Sequence, residues 1–223
     1  MRIAFTFLCA SLLAASGAWA QSAPGGPLFP SAGWAAQQAG LGPVGSRPAI
    51  LGQGQFFLST LTSSAIGGRT ETMLRYGASE KLSLGLTHFQ RQGTLRPSVN
   101  YSLTPESIES PSINVGYFDV SGGSKGSAYY ATAGRTISDM GPVLFSGYVG
   151  AAKVVGERTP RFLIGAAFPL LKDRATASAQ WEGKKLSLGL VGAVGSVSHY
   201  PIRLGLILTG DTLGTMAAST WRR

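Results

Sequence analysis

Alternation of apolar with small or polar residues is the dominant pattern of the chain from about residue 54 onward. In residues 82–87 every second residue is leucine, with Ser, Gly and Thr in between, and residues 186–190 repeat this arrangement. Residues 95–103, 175–181 and 202–206 show the same period of two. Because successive side chains of a β-strand point to opposite faces, this period predicts strands with one face in an apolar medium and the other lined by small or polar groups.

Turn clusters divide this region into about twelve segments of similar length. Connectors such as Gly67-Gly68, Lys172-Asp173-Arg174 and Gly210-Asp211 are short. Parallel strands need crossovers of about a dozen residues, so short connectors predict an antiparallel up-and-down meander. The segment lengths are close to the ~9–11 residues of a tilted membrane-spanning strand. The predicted segments are 54–65, 69–77, 82–91, 95–104, 111–120, 127–137, 142–154, 160–170, 175–182, 186–196, 200–209 and 215–221.

The N-terminal residues have a different character. Met1-Arg2, an apolar run over residues 3–15 and the small-x-small sequence Ala18-Trp19-Ala20 predict a signal peptide over 1–20. An uncleaved helical anchor is the alternative, but the run is short for a membrane-spanning helix. Cys9 is the only cysteine and lies within this segment, so the mature chain is expected to have neither disulfides nor cysteine-metal sites.

Residues 21–53 are rich in proline and glycine, and they are expected to form an irregular lead segment before a barrel domain over 54–223. Composition narrows the class of this domain. Charged residues make up only 13% of the chain, and its mean hydropathy is positive, at +0.16. These values argue against a disordered chain and against an ordinary soluble helical protein. The net charge of +9 does not by itself select a partner.

The positions of the acidic residues indicate the medium around the strands. Only Glu71 and Asp119 lie within predicted strands. An arginine or lysine facing lipid at mid-depth costs ~2–4 kcal/mol, so a lipid-facing wall is expected to lack charge. Backbone groups in lipid are all paired only in helices and closed barrels. The predicted fold is therefore all-β, an antiparallel transmembrane β-barrel of about twelve (ten to twelve) strands. The remaining acids lie in or beside turns: Glu80, Glu106, Glu109, Asp139, Glu157, Asp173, Glu182 and Asp211.

Aromatic residues near the segment ends suit the interfacial girdles of such a barrel, with ordinary core packing as the alternative. The residues expected in the girdles are Tyr76, Phe89, Tyr101, Trp181, Tyr200 and Trp221.

The hairpin over residues 76–86 begins with Tyr76-Gly77, continues through a short polar turn and ends in Leu82-Ser83-Leu84-Gly85-Leu86. It resembles a recurrent hairpin of bacterial outer-membrane barrels of the small porin-like and transporter type. The resemblance implies export to the outer membrane of a Gram-negative envelope. Trp221 looks like the terminal aromatic residue that assists assembly of such barrels, although Arg222-Arg223 follow it, which departs from that pattern.

With the smaller-residue face turned inward, the lumen is mildly positive. A positive lining favours anions, so the expected function is passage of small, including anionic, solutes. A closed barrel with a structural or envelope-binding role is the alternative. The sequence does not determine whether Arg135 and Lys153 point inward or outward. The predicted lumen residues are Arg75, Arg96 and Arg203, with Glu71, Asn100 and Gln180.

Catalysis has little support in the sequence. His88 and His199 are the only histidines, and no orienting acid accompanies either of them. A membrane-embedded hydrolase using one of them is the least favoured function. No cofactor or metal site is expected, because two histidines without clustered carboxylates make a poor metal site. The basic residues are dispersed, which argues against nucleic acid as a partner. The expected partners are outer-membrane lipid and small solutes.

Overall fold

Twelve antiparallel strands form a closed barrel in which each strand pairs with its sequence neighbours and β1 pairs with β12. The computed structural model describes residues 51–63, 69–90, 93–105, 107, 110–118, 120, 127–137, 145–170, 175–181, 183, 186–197, 200–209 and 212–222. The strands are β1 (Gln55–Ser63), β2 (Arg69–Gly77), β3 (Leu82–Phe89), β4 (Thr94–Thr104), β5 (Ser112–Phe118), β6 (Ala128–Ile137), β7 (Phe145–Val154), β8 (Arg161–Leu170), β9 (Ala175–Trp181), β10 (Leu186–Val197), β11 (Tyr200–Thr209) and β12 (Thr212–Arg222).

The predicted fold class is confirmed, and most strand bounds lie within a few residues of the sequence segments. The last strand differs most, since β12 begins three residues before its predicted start and ends one residue after its predicted end. Thr209 and Thr212 are register partners, so only two residues separate β11 from β12. A two-residue connection is the tightest common hairpin, and pairing therefore resumes at once.

The two ends of the barrel follow from the strand order. We call the end where β1 begins and β12 ends the terminal end, and the opposite end the distal end. Because the strands alternate in direction, the β2–β3, β4–β5, β6–β7, β8–β9 and β10–β11 connections lie at the terminal end. The other connections lie at the distal end.

Large apolar side chains cover the outside of the barrel. Leu206 is 51% exposed and Leu190 is 50% exposed, whereas Ser83 and Thr87 are fully buried on the inward face. Water would disfavour a continuous wall of leucine, but lipid favours it. The alternation in the sequence is therefore the alternation between the outer wall and the lumen.

Two apolar clusters lie inside the barrel, on opposite stretches of its wall. The first is formed mainly by β1, β2 and β10–β12, and the second by β3 and β5–β8. The first comprises Leu51, Phe57, Leu61, Met73, Ala167, Val191, Ile207, Met216 and Ala218; the second comprises Phe89, Phe118, Ala128, Tyr130, Tyr148, Ala152, Val154 and Leu163.

The chain enters β1 by crossing the terminal end of β2. Leu51 is buried in the first apolar cluster, and the Gly54 amide donates to the Gly77 carbonyl at 2.9 Å. A Cβ at position 77 would collide with the Gly52 carbonyl oxygen, which is backbone and cannot turn aside. Glycine at 77 is therefore required by close packing.

No helix in the described part of the chain is long and apolar enough to cross a membrane. The predicted signal peptide, 1–20, and residues 21–50 of the predicted lead segment lie outside the described residues.

Candidate functional site in the barrel lumen

Among the described residues, Arg75 is the most deeply buried charged residue of the lumen, with 2% of its surface exposed. It lies two residues before the terminal end of β2. Its guanidinium donates to Ser83 Oγ at 2.9 Å and interacts electrostatically with Tyr130, which belongs to β6. Strands β2 and β6 are four positions apart in the barrel, so this interaction reaches across part of the lumen.

Arg96 and Arg203 are only partly buried and lie at opposite ends of the lumen. Arg96 is two residues from the distal end of β4, and Arg203 is three residues from the terminal end of β11. The Arg96 guanidinium lies 4.9 Å from the centre of the Phe89 ring, a cation–π distance. Both arginines belong to one continuous row of register partners that winds across the inner wall: Arg96, Thr87, Met73, Ser59, Ala218 and Arg203.

The three other predicted lumen residues are buried on the same face. Glu71 is 3% exposed, Asn100 is 4% exposed and Gln180 is 8% exposed. Glu71 is the register partner of Phe89, and Gln180 that of Ser187. The structure thus places all six predicted residues on the inward face, in a mixed lining of hydrogen-bonding and cationic groups.

Arg161, which the sequence pattern did not reveal as a lumen residue, is a further inward cation at the distal end. Its Nε and Nη2 donate to the two carboxylate oxygens of Glu157 at 2.8 and 2.6 Å. This bidentate geometry is the strongest form of an arginine–carboxylate pair. Outward Phe162 and Ile164 could have shown the inward direction of position 161, because they alternate with it.

Two inward tyrosines lie flat against the wall over glycines of neighbouring strands. Tyr130 covers Gly116 of β5, and Tyr148 covers Gly165 of β8. In both cases a Cβ on the glycine would collide with the ring. The sequence does not reveal these pairs, since adjacent tyrosines at 129 and 130 do not show which of the two points inward.

Outward aromatic residues gather at the two ends of the barrel. At the terminal end Phe56 lies between Tyr76 and Trp221, with ring centroids 4.7 and 5.7 Å away. At the distal end Tyr117 and Tyr129 stack at 4.3 Å. Of the other residues expected in a girdle, the outward and exposed ones are Tyr101, Trp181 and Tyr200.

Phe89 departs from the expected girdle. It is 3% exposed and packs edge-on against Phe118 inside the barrel, with a centroid distance of 6.4 Å. The reason is its position in the strand: Phe89 has the same parity in β3 as Ser83 and Thr87, which are inward. A place near a strand end does not determine the face to which a side chain points.

Arg135 and Lys153, whose side the sequence left open, both lie outward and exposed. Lys153 is near the distal end of β7, and its Nζ donates to the carbonyls of Glu157 and Arg158 at 2.7 and 2.9 Å. It therefore holds the β7–β8 turn.

The histidines do not form a site with acids in the structure as described. His88 lies in β3 between its register partners Thr72 and Leu95 and faces the outside of the barrel. His199 lies outside the described residues. Within the described ranges, no three His, Cys, Asp or Glu side chains come together as metal ligands would.

A closed antiparallel barrel with an apolar outer wall, aromatic ends and an interior that carries polar and charged groups beside two apolar clusters has the architecture of transmembrane β-barrels. Solved structures with similar backbones include the KdgM porin and the KdgM porin in complex with disordered oligogalacturonate. Each matches with a TM-score of 0.53 and 8% identity over 75% of this chain and 99% of the porin. No protein-family model and no curated protein matches the sequence. The likeness to these porins is therefore one of fold.

Proposed function

We propose that this chain is an outer-membrane, porin-like channel that admits small anionic solutes through its lumen. The observation that carries the proposal is the inward direction of Arg75, Arg96 and Arg203, against the single strand-borne acid Glu71 among the described lumen residues. Rings of arginine or lysine are the usual lining of anion pores.

The outer wall and the fold support the membrane location in this proposal. The outward side chains are those that lipid favours. Twelve strands enclose more space than side chains fill easily, since about eight strands already have an interior that side chains fill. The fold is that of a porin which has also been solved with oligogalacturonate, a polyanion, and the inward arginines of this chain suit ligands of that charge.

The two partly exposed arginines suggest the path of an anion. An anion entering at the distal end meets Arg96, and one leaving at the terminal end meets Arg203, with the hydrogen-bonding groups of Asn100 and Gln180 on the wall. Conduction needs binding that is favourable at several sites but weak at each of them. Arginines that remain partly solvated provide such weak sites, because solvent screens their charge.

The burial of Glu71, Arg75 and Asn100 favours the second candidate, a closed barrel with a structural role. In that case the polar groups would stabilise one another and no solute would pass. The two functions differ in a single measurable property, the conductance of the folded protein.

Planar-bilayer recordings of the purified, folded barrel test the proposal. We expect discrete conductance steps and a reversal potential in a KCl gradient that shows chloride preference. The double variant Arg96→Gln/Arg203→Gln is expected to lose most of this preference, because it removes two partly exposed lumen charges. Arg135→Gln is the matched control, since it removes an outward arginine, and its ion preference should equal that of the parent.

Each alternative to an arginine-selective channel predicts a different experimental result. A correctly folded barrel without conductance steps would establish the closed form. Conductance with unchanged selectivity in the double variant would show that Arg96 and Arg203 do not determine the ion preference. Phospholipid hydrolysis by the parent that disappears in His88→Ala would support an enzyme instead.

A further inference from the structure

A short turn at the terminal end of the barrel lies inside the lumen. Residues 51–54, which we call the entry turn, precede β1. Gly77 is the last residue of β2 and has the same parity as Met73 and Arg75, which point inward. A Cβ on Gly77 would therefore point into the lumen, where it would collide with the Gly52 carbonyl oxygen. The entry turn thus lies on the lumen side of β2, within the mouth of the barrel.

Hydrogen bonds give the entry turn its shape and its place. The Gly52 amide donates to Gln55 Oε1 at 2.9 Å, and the Gln55 amide donates to the Gly52 carbonyl at 3.0 Å. The Gly54 amide donates to the Gly77 carbonyl of β2 at 2.9 Å. The first two bonds lie within the turn and its junction with β1, whereas the third joins the turn to the neighbouring strand. The turn can therefore keep its own shape when its contact with β2 opens.

Leu51 is the side chain that the entry turn inserts into the lumen. It is 9% exposed and belongs to the first apolar cluster. Phe57 and Leu61 of the same cluster lie on β1, with Phe57 nearer the terminal end. At about 3.3 Å per residue, these two residues alone extend the cluster over about 13 Å of the strand. Because Leu51 precedes β1, it covers this cluster on the side of the mouth.

The cluster interrupts the row of register partners that joins the two partly exposed arginines. Met73 and Ala218 belong both to that row and to the cluster. Ala218 is the direct register partner of Arg203. An anion that follows the wall from Arg96 to Arg203 therefore meets apolar side chains before it reaches Arg203.

Polar atoms of the same row are buried without hydrogen-bond partners. Thr87 is fully buried and Ser59 is 1% exposed, and neither Thr87 Oγ1 nor Ser59 Oγ has a partner. Nε of Arg203 is in the same condition. A buried polar group that has lost its hydrogen bonds to water destabilises the arrangement that buries it. Water that enters the row would remove this penalty, so the packed arrangement is poised to open.

We infer that the entry turn is a gate at the terminal mouth of the lumen, with Leu51 as its stopper. While Leu51 is packed in the cluster, apolar side chains exclude water from the row, and apolar constrictions close channels in this way. When the turn leaves the mouth, water reaches Ser59 and Thr87, and solutes reach Arg203. The inference rests on the proposed function for the solute that passes, but the change in water access does not require conductance.

A thiol placed in the row measures this access. Ser59→Cys, in a Cys9→Ser background, is folded into vesicles and treated with a small anionic methanethiosulfonate, which reacts with thiols that water reaches. The same protein unfolded in urea gives the rate of an accessible thiol. We expect the folded barrel to react much more slowly. Thr87→Cys provides a second thiol position if Ser59→Cys does not fold.

Leu51→Ala should raise the rate of modification about tenfold or more, because the loss of buried methyl groups destabilises the closed form. Leu74→Ala is the matched control, since Leu74 is an outward leucine of β2 that is 41% exposed, and it should leave the rate unchanged. In planar bilayers, Leu51→Ala should also increase the fraction of time that the channel is open.

Gly77→Ala tests the turn itself, because it leaves Leu51 intact. The added methyl group meets the Gly52 carbonyl and pushes the turn away from β2, so the rate should again rise. Gly195→Ala is its control, since a Cβ there meets no heavy atom within 4 Å. A higher rate in both Leu51→Ala and Gly77→Ala would support a moving turn rather than a cavity left by the smaller side chain.

A folded parent whose thiol reacts as fast as in urea would overturn the inference, because the mouth would already be open. Unchanged rates in Leu51→Ala and Gly77→Ala would also overturn it, and discrete conductance in the same proteins would leave the channel itself established. Faster modification in both variants without conductance in any of them would support the gate and contradict the proposed function.

Discussion

At the scale of single residues, glycines shape the inner wall because they have no side chain. Gly116 and Gly165 let the rings of Tyr130 and Tyr148 lie against the wall instead of projecting across the lumen. Tyr130 also interacts electrostatically with Arg75 of β2. The room for the two rings on the inner wall therefore depends on glycine in the neighbouring strands.

Gly116→Ala should lower the free energy of unfolding by about 1–3 kcal/mol, because the added methyl group collides with the Tyr130 ring in a packed interior. Gly195→Ala is the control, since a Cβ there meets no heavy atom within 4 Å. Urea titration of the two variants in the same detergent measures the difference. Equal losses would mean that the ring does not lie over Gly116.

At the scale of the strand, alternation assigns most side chains to a face, and irregularities interrupt it. Register shifts occur in β4 between Ser102 and Thr104 and in β10 between Ala193 and Gly195. A bulge inserts an extra residue and reverses the parity beyond it. The sequence could not assign positions after such a shift to a face of the barrel wall. The same holds for strands without a clear alternation, such as the stretch with Arg135.

Substitutions at outward positions of different depth test whether lipid or water surrounds the barrel. Leu204 lies in the middle of β11, whereas Leu213 is one residue from the distal end of β12, and both are outward. In a bilayer, Leu204→Arg should cost about 2–4 kcal/mol of folding free energy and Leu213→Arg at most about 1 kcal/mol. Unfolding in vesicles measures both values.

A water-facing wall would give a different result. Substitutions at exposed sites of a soluble barrel usually change stability by only about 0.5 kcal/mol. Small and equal effects of the two arginine variants would therefore contradict a lipid-facing surface.

At the scale of the whole molecule, closure depends on β1 and β12, which lie at the two ends of the described sheet in sequence. Nine register pairs join them, and Phe56 stacks on Trp221 at the terminal end. Closure leaves no unpaired strand edge, which lipid would not tolerate. No short-range feature of the sequence specifies this pairing, because its partners are more than 150 residues apart.

The variant Thr60→Cys/Ala217→Cys, in a Cys9→Ser background, should form a disulfide in the folded barrel, because the two positions are Cα partners across the closure. Thr60→Cys/Leu204→Cys is the control. Leu204 pairs with Ala217, so it lies two strand spacings from Thr60, roughly 9.5 Å, beyond the ~7 Å limit for a disulfide. Non-reducing electrophoresis distinguishes the two. A barrel that folds without the first cross-link would be open at this seam.

The sequence by itself determined the strands, their antiparallel order, the apolar outer wall and the inward direction of Arg75, Arg96 and Arg203, because these depend on a period of two and on short connectors. Only the tertiary structure decided what the side chains meet. It placed Phe89 beneath Arg96, paired Arg161 with Glu157, and aligned Arg135 with Gly147, Ala166 and Ala179 on three other strands. Such neighbours are set by register between strands distant in sequence, and periodicity within one strand carries no information about that register.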